Sequence, residues 1–214
     1  TLAVQGGVVT AEAITLNGTG VGGGGALRNL AGNNLLTGAI TLGSATRMNS
    51  DAGQLQINGD VTGTNVNLTV GGVGATLING DITTGTGSLT LDTTGVVALA
   101  GANTFTGGTT VNSGSLQLQG GAALADSGAL TVNAPGKVQV FAGETVGALS
   151  GDGSIVLQTA GALVAGGSTN TEFAGVISES GATGAFTKAG SGTRRCRART
   201  LTRVRPRWMP VGWT

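Results

Sequence analysis

The sequence contains no histidine and no tyrosine, a single cysteine and three prolines in 214 residues. Without histidine a protein lacks the commonest general base, the commonest metal ligand and every catalytic triad that includes an imidazole. No G-x-S-x-G nucleophile elbow is present either, and the only thiol is that of Cys196. We therefore expect no catalytic activity of its own, no metal site and no cofactor in this chain.

Aromatic residues make up 3% of the chain and charged residues 10%, both below what a globular enzyme of this size carries. A transmembrane barrel is excluded because it needs girdles of aromatic residues, and no apolar run approaches the ~18 residues of a membrane-spanning helix. Collagen is excluded because proline is scarce and glycine has no period of three. The 42 glycines and the β-branched residues spread along the chain indicate many short strands joined by tight turns.

Charge divides the chain into two parts. Residues 1–193 contain four basic and all ten acidic residues, a formal charge of −6. The last 21 residues contain the cysteine, both tryptophans and seven of the eleven basic residues, which are Arg194, Arg195, Arg197, Arg199, Arg203, Arg205 and Arg207. The sequence therefore predicts a body over residues 1–193 and a different, arginine-rich tail over residues 194–214.

The beginning of the chain has no methionine and no charged segment followed by an apolar one, so no signal peptide is recognisable. We expect the chain to be an internal piece of a longer protein. The absence of cysteine from the body is compatible with export, although cytosolic proteins lack disulfides as well.

Alternation of apolar and polar residues recurs along the body and is typical of half-buried strands. It occurs at residues 54–57 (QLQI), 66–70 (VNLTV), 88–91 (SLTL), 115–118 (SLQL), 129–132 (ALTV) and 137–140 (KVQV). Glycine, asparagine, aspartate and serine separate these runs, as turns require. No stretch of useful length has the helical period, so the chain is predicted to be all-β.

A repeat of about 21 residues selects the architecture. The segment INGDVT at residues 57–62 is followed 21 residues later by INGDIT at residues 78–83. Such a period is typical of a solenoid, in which equivalent residues of successive coils stack about 4.8 Å apart. We predict a right-handed parallel β-helix (β-solenoid) with coils of about 20–22 residues, in which Ile57 lies over Ile78 and Asn58 over Asn79. Its narrow interior is expected to take aliphatic residues and few aromatic ones.

Residues 101–116 (GANTFTGGTTVNSGSL) strongly resemble the autotransporter-associated β-strand repeat, which builds the passenger β-helices of Gram-negative bacteria. Other stretches resemble the same passengers, namely residues 25–34 (GALRNLAGNN), 38–42 (GAITL), 146–154 (VGALSGDGS), 173–178 (FAGVIS) and 186–193 (FTKAGSGT). This resemblance implies type V secretion, in which a C-terminal outer-membrane β-barrel of the same full-length protein translocates the passenger. It also implies display at the bacterial cell surface, anchored to the outer membrane.

The arginine-rich tail interrupts the resemblance. If each codon is read from the last base of one residue and the first two bases of the next, residues 195–214 can encode TLSGANTYSGATTVDAGGLD. That string matches residues 98–117 nearly position for position. The aspartate opposite Asn112 and the alanine opposite Ser113 are fixed by the genetic code, because Trp208 and Met209 each have a single codon. We infer a frameshift near Thr193, so that residues 194–214 are not native; the alternative is a genuine basic tail that binds nucleic acid or anionic lipid.

Three patterns resemble binding sites. Residues 18–23 (GTGVGG) fit G-x-G-x-x-G, but no βαβ unit surrounds them, and a turn between coils is the better interpretation. Residues 71–76 (GGVGAT) begin like a calcium-binding nonapeptide but have Thr76 where aspartate is required. Asp60 and Asp81 are expected on adjacent coils, where two stacked carboxylates either bind a cation or, as we favour, belong to exposed turn residues that each bond their own backbone.

Together these observations predict a surface-exposed structural stalk or adhesin segment of an autotransporter. Its partners would be the barrel of the same protein and surface ligands on host or neighbouring cells, with no nucleic acid. Two alternatives remain: a β-helix scaffold for an enzymatic passenger domain encoded elsewhere in the full-length protein, or an adhesin of the filamentous haemagglutinin type exported by a separate partner. An enzyme on the β-helix itself is disfavoured because the ten acids are scattered and no aromatic platform for sugars is present.

Overall fold

The computed structural model describes residues 1–181, 183–196 and 202–203. This part of the chain forms a parallel β-solenoid of about nine turns, with 55% of residues in strands and 2% in helix. The predicted all-β β-helix is thereby confirmed. Most of the arginine-rich segment 194–214, and with it the inferred frameshift, lies outside the described residues.

Each coil contributes up to three strands, and equivalent strands of successive coils pair in parallel to form three faces. Face 1 contains β1 (Leu2–Gln5), β4 (Leu27–Ala31), the second part of β6 (Ile40–Ser50), β9 (Leu68–Gly72), the first parts of β12 (Leu89–Leu99) and β13 (Thr109–Leu118), β14 (Leu130–Val132), β17 (Leu149–Gly151), β20 (Thr171–Phe173) and β23 (Arg194–Cys196). The coils are numbered from the face 1 strand that opens them, so that β1 begins coil one and β20 begins coil nine.

The other two faces follow in the same order. Face 2 contains β2 (Val9–Thr10), β5 (Asn33–Leu36), β7 (Gln54–Ile57), β10 (Ala75–Ile78), the second parts of β12 and β13, β15 (Lys137–Val140), β18 (Ser154–Gln158), β21 (Val176–Ser180) and β24 (Thr202–Arg203). Face 3 contains β3 (Ile14–Gly18), the first part of β6, β8 (Val61–Gly63), β11 (Ile82–Thr83), β16 (Gly143–Val146), β19 (Ala162–Ala165) and β22 (Ala185–Lys188). One 3₁₀ turn, Val21–Gly23, lies between face 3 of coil one and β4.

The 21-residue register is observed where the sequence repeat predicts it. Ile57 pairs with Ile78, and the Nδ2 atom of Asn79 donates a hydrogen bond of 2.8 Å to Oδ1 of Asn58. Coil length varies elsewhere, because turns gain and lose residues. The offset is 25 between Leu2 and Leu27 and only 17 between Lys137 and Ser154.

The core is a single column of inward side chains, nearly all of them leucine, isoleucine, valine and alanine. Two of the four phenylalanines are also fully buried, Phe105 at 1% exposure and Phe173 at 0%. The interior therefore accepts more aromatic volume than we expected. Phe173 fits because Gly175 has no side chain, since a Cβ atom there would lie 2.7 Å from the ring.

Glycine is required at one corner for close stacking of the backbone. Gly38, Gly59, Gly80 and Gly101 lie above one another, and a Cβ atom on Gly59 would lie 2.0 Å from the carbonyl oxygen of Gly38. A Cβ atom on Gly80 would lie 2.3 Å from the oxygen of Gly59. No residue larger than glycine fits there without displacing a coil. Among the described residues, no helix is long and apolar enough to cross a membrane.

Candidate functional site

The glycine-rich segment 18–23 forms an exposed turn. Gly22 lies in the left-handed region with φ 59°, and the short 3₁₀ turn Val21–Gly23 has no side-chain cap. Val21 is 82% exposed. A dinucleotide site needs this motif between a strand and the N-terminus of a helix, and here β4 follows instead.

The calcium-like segment 71–76 is occupied by side chains from the preceding coil. A Cβ atom on Gly71 would lie 2.0 Å from Nη2 of Arg47 and 2.4 Å from Oδ1 of Asn49. The missing side chain lets the Arg47 guanidinium extend over coil four toward Asp92 of coil five, where Nη1 lies 3.8 Å from Oδ2. The space beside Gly71 is therefore filled by the positively charged guanidinium of Arg47, whereas a calcium site requires oxygen ligands there.

Asp60 and Asp81 do lie on adjacent coils, as the repeat predicts, because Val61 pairs with Ile82. Each carboxylate accepts a hydrogen bond from the backbone of the next coil. Oδ1 of Asp60 accepts from the Asp81 N–H at 3.0 Å, and Oδ1 of Asp81 accepts from the Ala102 N–H at 2.7 Å. We had expected each aspartate to bond its own turn; instead the two act as links between coils.

A row of polar side chains crosses the coils on face 1. Nε of Arg28 lies 2.5 Å from Oδ2 of Asp51, whose Oδ1 accepts a hydrogen bond of 2.6 Å from Asn49. Farther along, Nδ2 of Asn112 donates to Asp92 at 2.7 Å, and Nδ2 of Asn133 donates to Asn112 at 2.9 Å. Together with the Arg47–Asp92 pair, these contacts run from coil two to coil seven and link the coils, although Nε of Arg47 and Oδ1 of Asn49 are buried without a hydrogen-bond partner. The acids of this row are spread along it and do not converge.

The most unusual polar site is buried, at a break in face 3. The strands of face 3 up to β11 belong to the 21-stranded sheet, whereas β16, β19 and β22 form a separate three-stranded sheet. Between them, residues 100–108 of coil five and residues 119–128 of coil six contain no strand. Backbone groups of residues 119–128 therefore need partners other than a neighbouring strand.

Two inward polar side chains supply those partners. Asn103, 5% exposed, donates from Nδ2 to the Ala123 carbonyl at 2.7 Å and accepts from the Ile82 N–H at 2.7 Å. On the other side Glu144, 2% exposed, accepts from the N–H groups of Ala123 at 3.1 Å and Leu124 at 3.0 Å. Asn103 and Glu144 thus replace the strand hydrogen bonds that the break removes.

Burial raises the pKa of the Glu144 carboxyl above its ordinary value of 4.5. The hydrogen bonds from Leu124 and Ala123 act against that shift, and the nearby Asp126 carboxylate adds to it. We did not identify Glu144 from the sequence. The alternation Gly143-Glu144-Thr145-Val146 does place it on the side of the buried Val146, and that pattern was the available signal.

No cluster of chemically reactive groups accompanies Glu144. In the described ranges no three histidine, cysteine, aspartate or glutamate side chains converge as metal ligands would. A hollow of about 450 Å³ lies near the C-terminal end of the described solenoid and is lined by Asn170, Thr171, Glu172 and Thr193. The side chain of Cys196 is outside the described part of the chain.

The outward surfaces differ between faces. Face 1 presents stacked hydroxyl residues, Thr69, Thr90, Thr110, Thr131 and Ser150, beside its charged row. Face 3 presents a second threonine row, Thr15, Thr41, Thr62 and Thr83. Face 2 presents amides and aliphatic side chains. The outward surface of the described solenoid is thus a set of extended, repetitive faces.

No family model, curated protein or solved structure matches the chain.

Proposed function

We propose that this chain is a segment of the stalk of an autotransporter passenger, displayed outside a Gram-negative cell and without catalytic activity of its own. The observation that carries the proposal is the continuous stack of about nine turns, which at about 4.8 Å per coil gives a rod about 43 Å long. The resemblance of residues 101–116 to passenger repeats adds the cellular context.

The contacts of the coils suit a stalk. Links such as Asp60 to Asp81, Asp81 to Ala102 and Asn58 to Asn79 each join one coil to the next. Stability in such a structure is a sum of neighbour terms, so each coil that stacks on a folded one adds its own stabilising contacts. A chain that emerges progressively from a barrel can therefore fold one coil at a time, and each new coil extends the rod by a fixed distance.

The absence of histidine from the sequence and the scatter of the carboxylates, no three of which converge in the described residues, support a structural role over an enzymatic one. Contacts with host or neighbouring cells would be made through the repetitive outward rows. The C-terminal outer-membrane barrel of the same full-length protein would be the partner during export.

Protease access to intact cells tests the proposal. Bacteria expressing the full-length gene are treated with proteinase K, and residues 1–193 are followed with an antiserum raised against them. We expect the antigen to be lost from intact cells while a periplasmic marker is retained. If the antigen survives until the outer membrane is opened, surface display is wrong.

If the antigen is found in the medium and its export depends on a separate barrel gene, the alternative of partner-dependent secretion replaces the autotransporter. If purified full-length passenger has a hydrolase activity that survives alteration of residues 1–193, the segment is a scaffold for a catalytic domain located elsewhere.

A further inference from the structure

Face 2 of the described solenoid combines outward rows that are nearly free of charge with half-buried aliphatic side chains, whereas the uncharged outward row of face 3 consists of threonines. The two outward rows of face 2 are in register over successive coils. Row a consists of Asn33, Gln54, Ala75, Val96, Ser115, Lys137, Ser154 and Val176. Row b consists of Leu35, Gln56, Leu77, Ala98, Gln117, Gln139, Val156 and Ser178. Lys137 is the only charged residue in the sixteen positions of the two rows.

The polar groups on this face already bond one another. Oε1 of Gln139 accepts from Ser115 at 3.0 Å and from Gln117 at 3.2 Å, and Gln54 donates to Gln56 at 3.3 Å. Removing these amides from water therefore costs less than removing unpaired ones. The aliphatic residues between them, such as Leu77 and Val96, are half-buried and gain from further burial.

We infer that face 2 binds the same face of a second copy of this chain. The body of the chain has a formal charge of −6, so two copies repel unless they meet where acids are absent. The regular coil spacing is the same on both copies, which lets two flat sheets pack about 10 Å apart over many coils.

The acidic residues at the corners of face 2 determine whether the solenoid axes of the two copies are parallel or antiparallel. With parallel solenoid axes, a two-fold axis brings Asp51 at one corner of coil three opposite Asp60 of the other copy. With antiparallel axes, coil three faces coil seven, so Asp51 and Asp60 meet uncharged corners and Lys137 meets Gln54. The antiparallel pair avoids the contact between like charges. Full overlap of coils two to eight then places coil five, and with it Val96, on the two-fold axis.

The size of the face sets the strength of the interaction. Seven coils about 4.8 Å apart and strands of four residues about 3.3 Å each give roughly 34 by 13 Å, or about 450 Å² per copy. Two copies then bury about 900 Å², which is below the roughly 1,200–2,000 Å² of stable complexes and within the range of weak, transient ones. The dimer is therefore weak and forms reversibly with concentration, and it does not depend on the proposed surface display.

Sedimentation of the full 214-residue chain tests the inference. Over a range from micromolar to near-millimolar concentration, we expect the average mass to rise from 20.6 kDa toward twice that value. The variant Leu77→Lys/Val96→Lys should lose this rise, whereas the face 3 control Thr62→Lys/Thr83→Lys should keep it. Within the described residues, β1, β2 and β3 have a neighbour on one side only, and association through them is the same in both variants.

A cross-link supplies a second measurement that does not depend on the lysine variants. In a Cys196→Ser background, Val96→Cys should form a disulfide-linked dimer on oxidation, and Thr83→Cys should not. A wild-type chain that stays monomeric throughout, equal association of the two lysine variants, or equal cross-linking of the two cysteine variants would each overturn the inference.

Discussion

Glu144 provides the sharpest test of how the solenoid tolerates a break in one of its faces. Its carboxylate accepts the N–H groups of Ala123 and Leu124, and both hydrogen bonds are buried. Replacing Glu144 with alanine leaves two buried donors without partners. Each such donor costs about 1–3 kcal/mol, so we expect a loss of at least about 2 kcal/mol in local stability. That loss corresponds to opening about thirtyfold more often.

Hydrogen exchange measured by mass spectrometry is the suitable assay, because a solenoid need not unfold in a single step. Peptides covering residues 119–146 should exchange at least about thirtyfold faster in Glu144→Ala, whereas peptides from coils two to four should not change. The control is Thr145→Ala, which alters the adjacent outward side chain of the same strand. If Glu144→Ala exchanges no faster than Thr145→Ala, the carboxylate does not support the break and the argument fails.

Three further predictions concern pH, close stacking and surface charge. Because the native pKa of Glu144 is raised, the folded state binds the Glu144 proton more tightly than the unfolded state does. The resulting stabilisation of the folded state is complete below about pH 4.5 and is lost as pH rises through the native pKa. Thermal melts across that range should therefore show a smaller dependence of stability on pH for Glu144→Gln than for the wild type. Gly59→Ala should lower the free energy of unfolding measured in urea by about 1–3 kcal/mol, because its Cβ atom would lie 2.0 Å from the Gly38 oxygen. Gly143→Ala is the control and should lower it far less, because the space around Gly143 is open. Equal losses for the two variants would contradict the stacking argument. Arg28→Ala should lower the free energy of unfolding by less than about 1 kcal/mol although its partner Asp51 is 2.5 Å away, because both side chains are partly exposed. A loss of several kcal/mol would show that the charged row of face 1 stabilises the solenoid more than we infer.

The sequence predicts the fold because the same physical requirement recurs in every coil. Alternation places one side of each strand in the core, and the spacing of INGDVT and INGDIT fixes the register that brings Ile57 over Ile78. Stacked side chains such as Asn58 and Asn79 follow directly from that register. The match is best from coil two to coil five, where the offset between paired residues is 21 on each face except on face 1 between coils three and four, where it is 22.

Features that depend on departures from the repeat could not be predicted in the same way. Residues 119–128 have no strand pattern, but nothing in them indicates that Asn103 and Glu144 supply the missing hydrogen bonds from the coils on either side. Those partners are 20 and 21 residues from Ala123, and the register there is irregular. The burial of Phe173 likewise depends on Gly175, a contact that the alternation of the strand does not encode.

The glycine corner and face 2 differ in how readily the sequence reveals them. The corner formed by Gly38, Gly59, Gly80 and Gly101 is conspicuous in the sequence because glycine recurs every 21 residues. Face 2 is not conspicuous, because the residues of its two rows differ from coil to coil and share only their lack of charge. That property becomes visible only when strands from eight coils are placed side by side.

The nucleotide sequence from the codon for Gly190 onward, read in all three frames over several hundred codons, tests the proposed autotransporter passenger most directly. The account predicts that the shifted frame continues through further repeats into ten or more amphipathic strands of an outer-membrane barrel. If the frame of residues 194–214 stays open and no barrel follows, the basic tail is genuine and the autotransporter assignment is wrong.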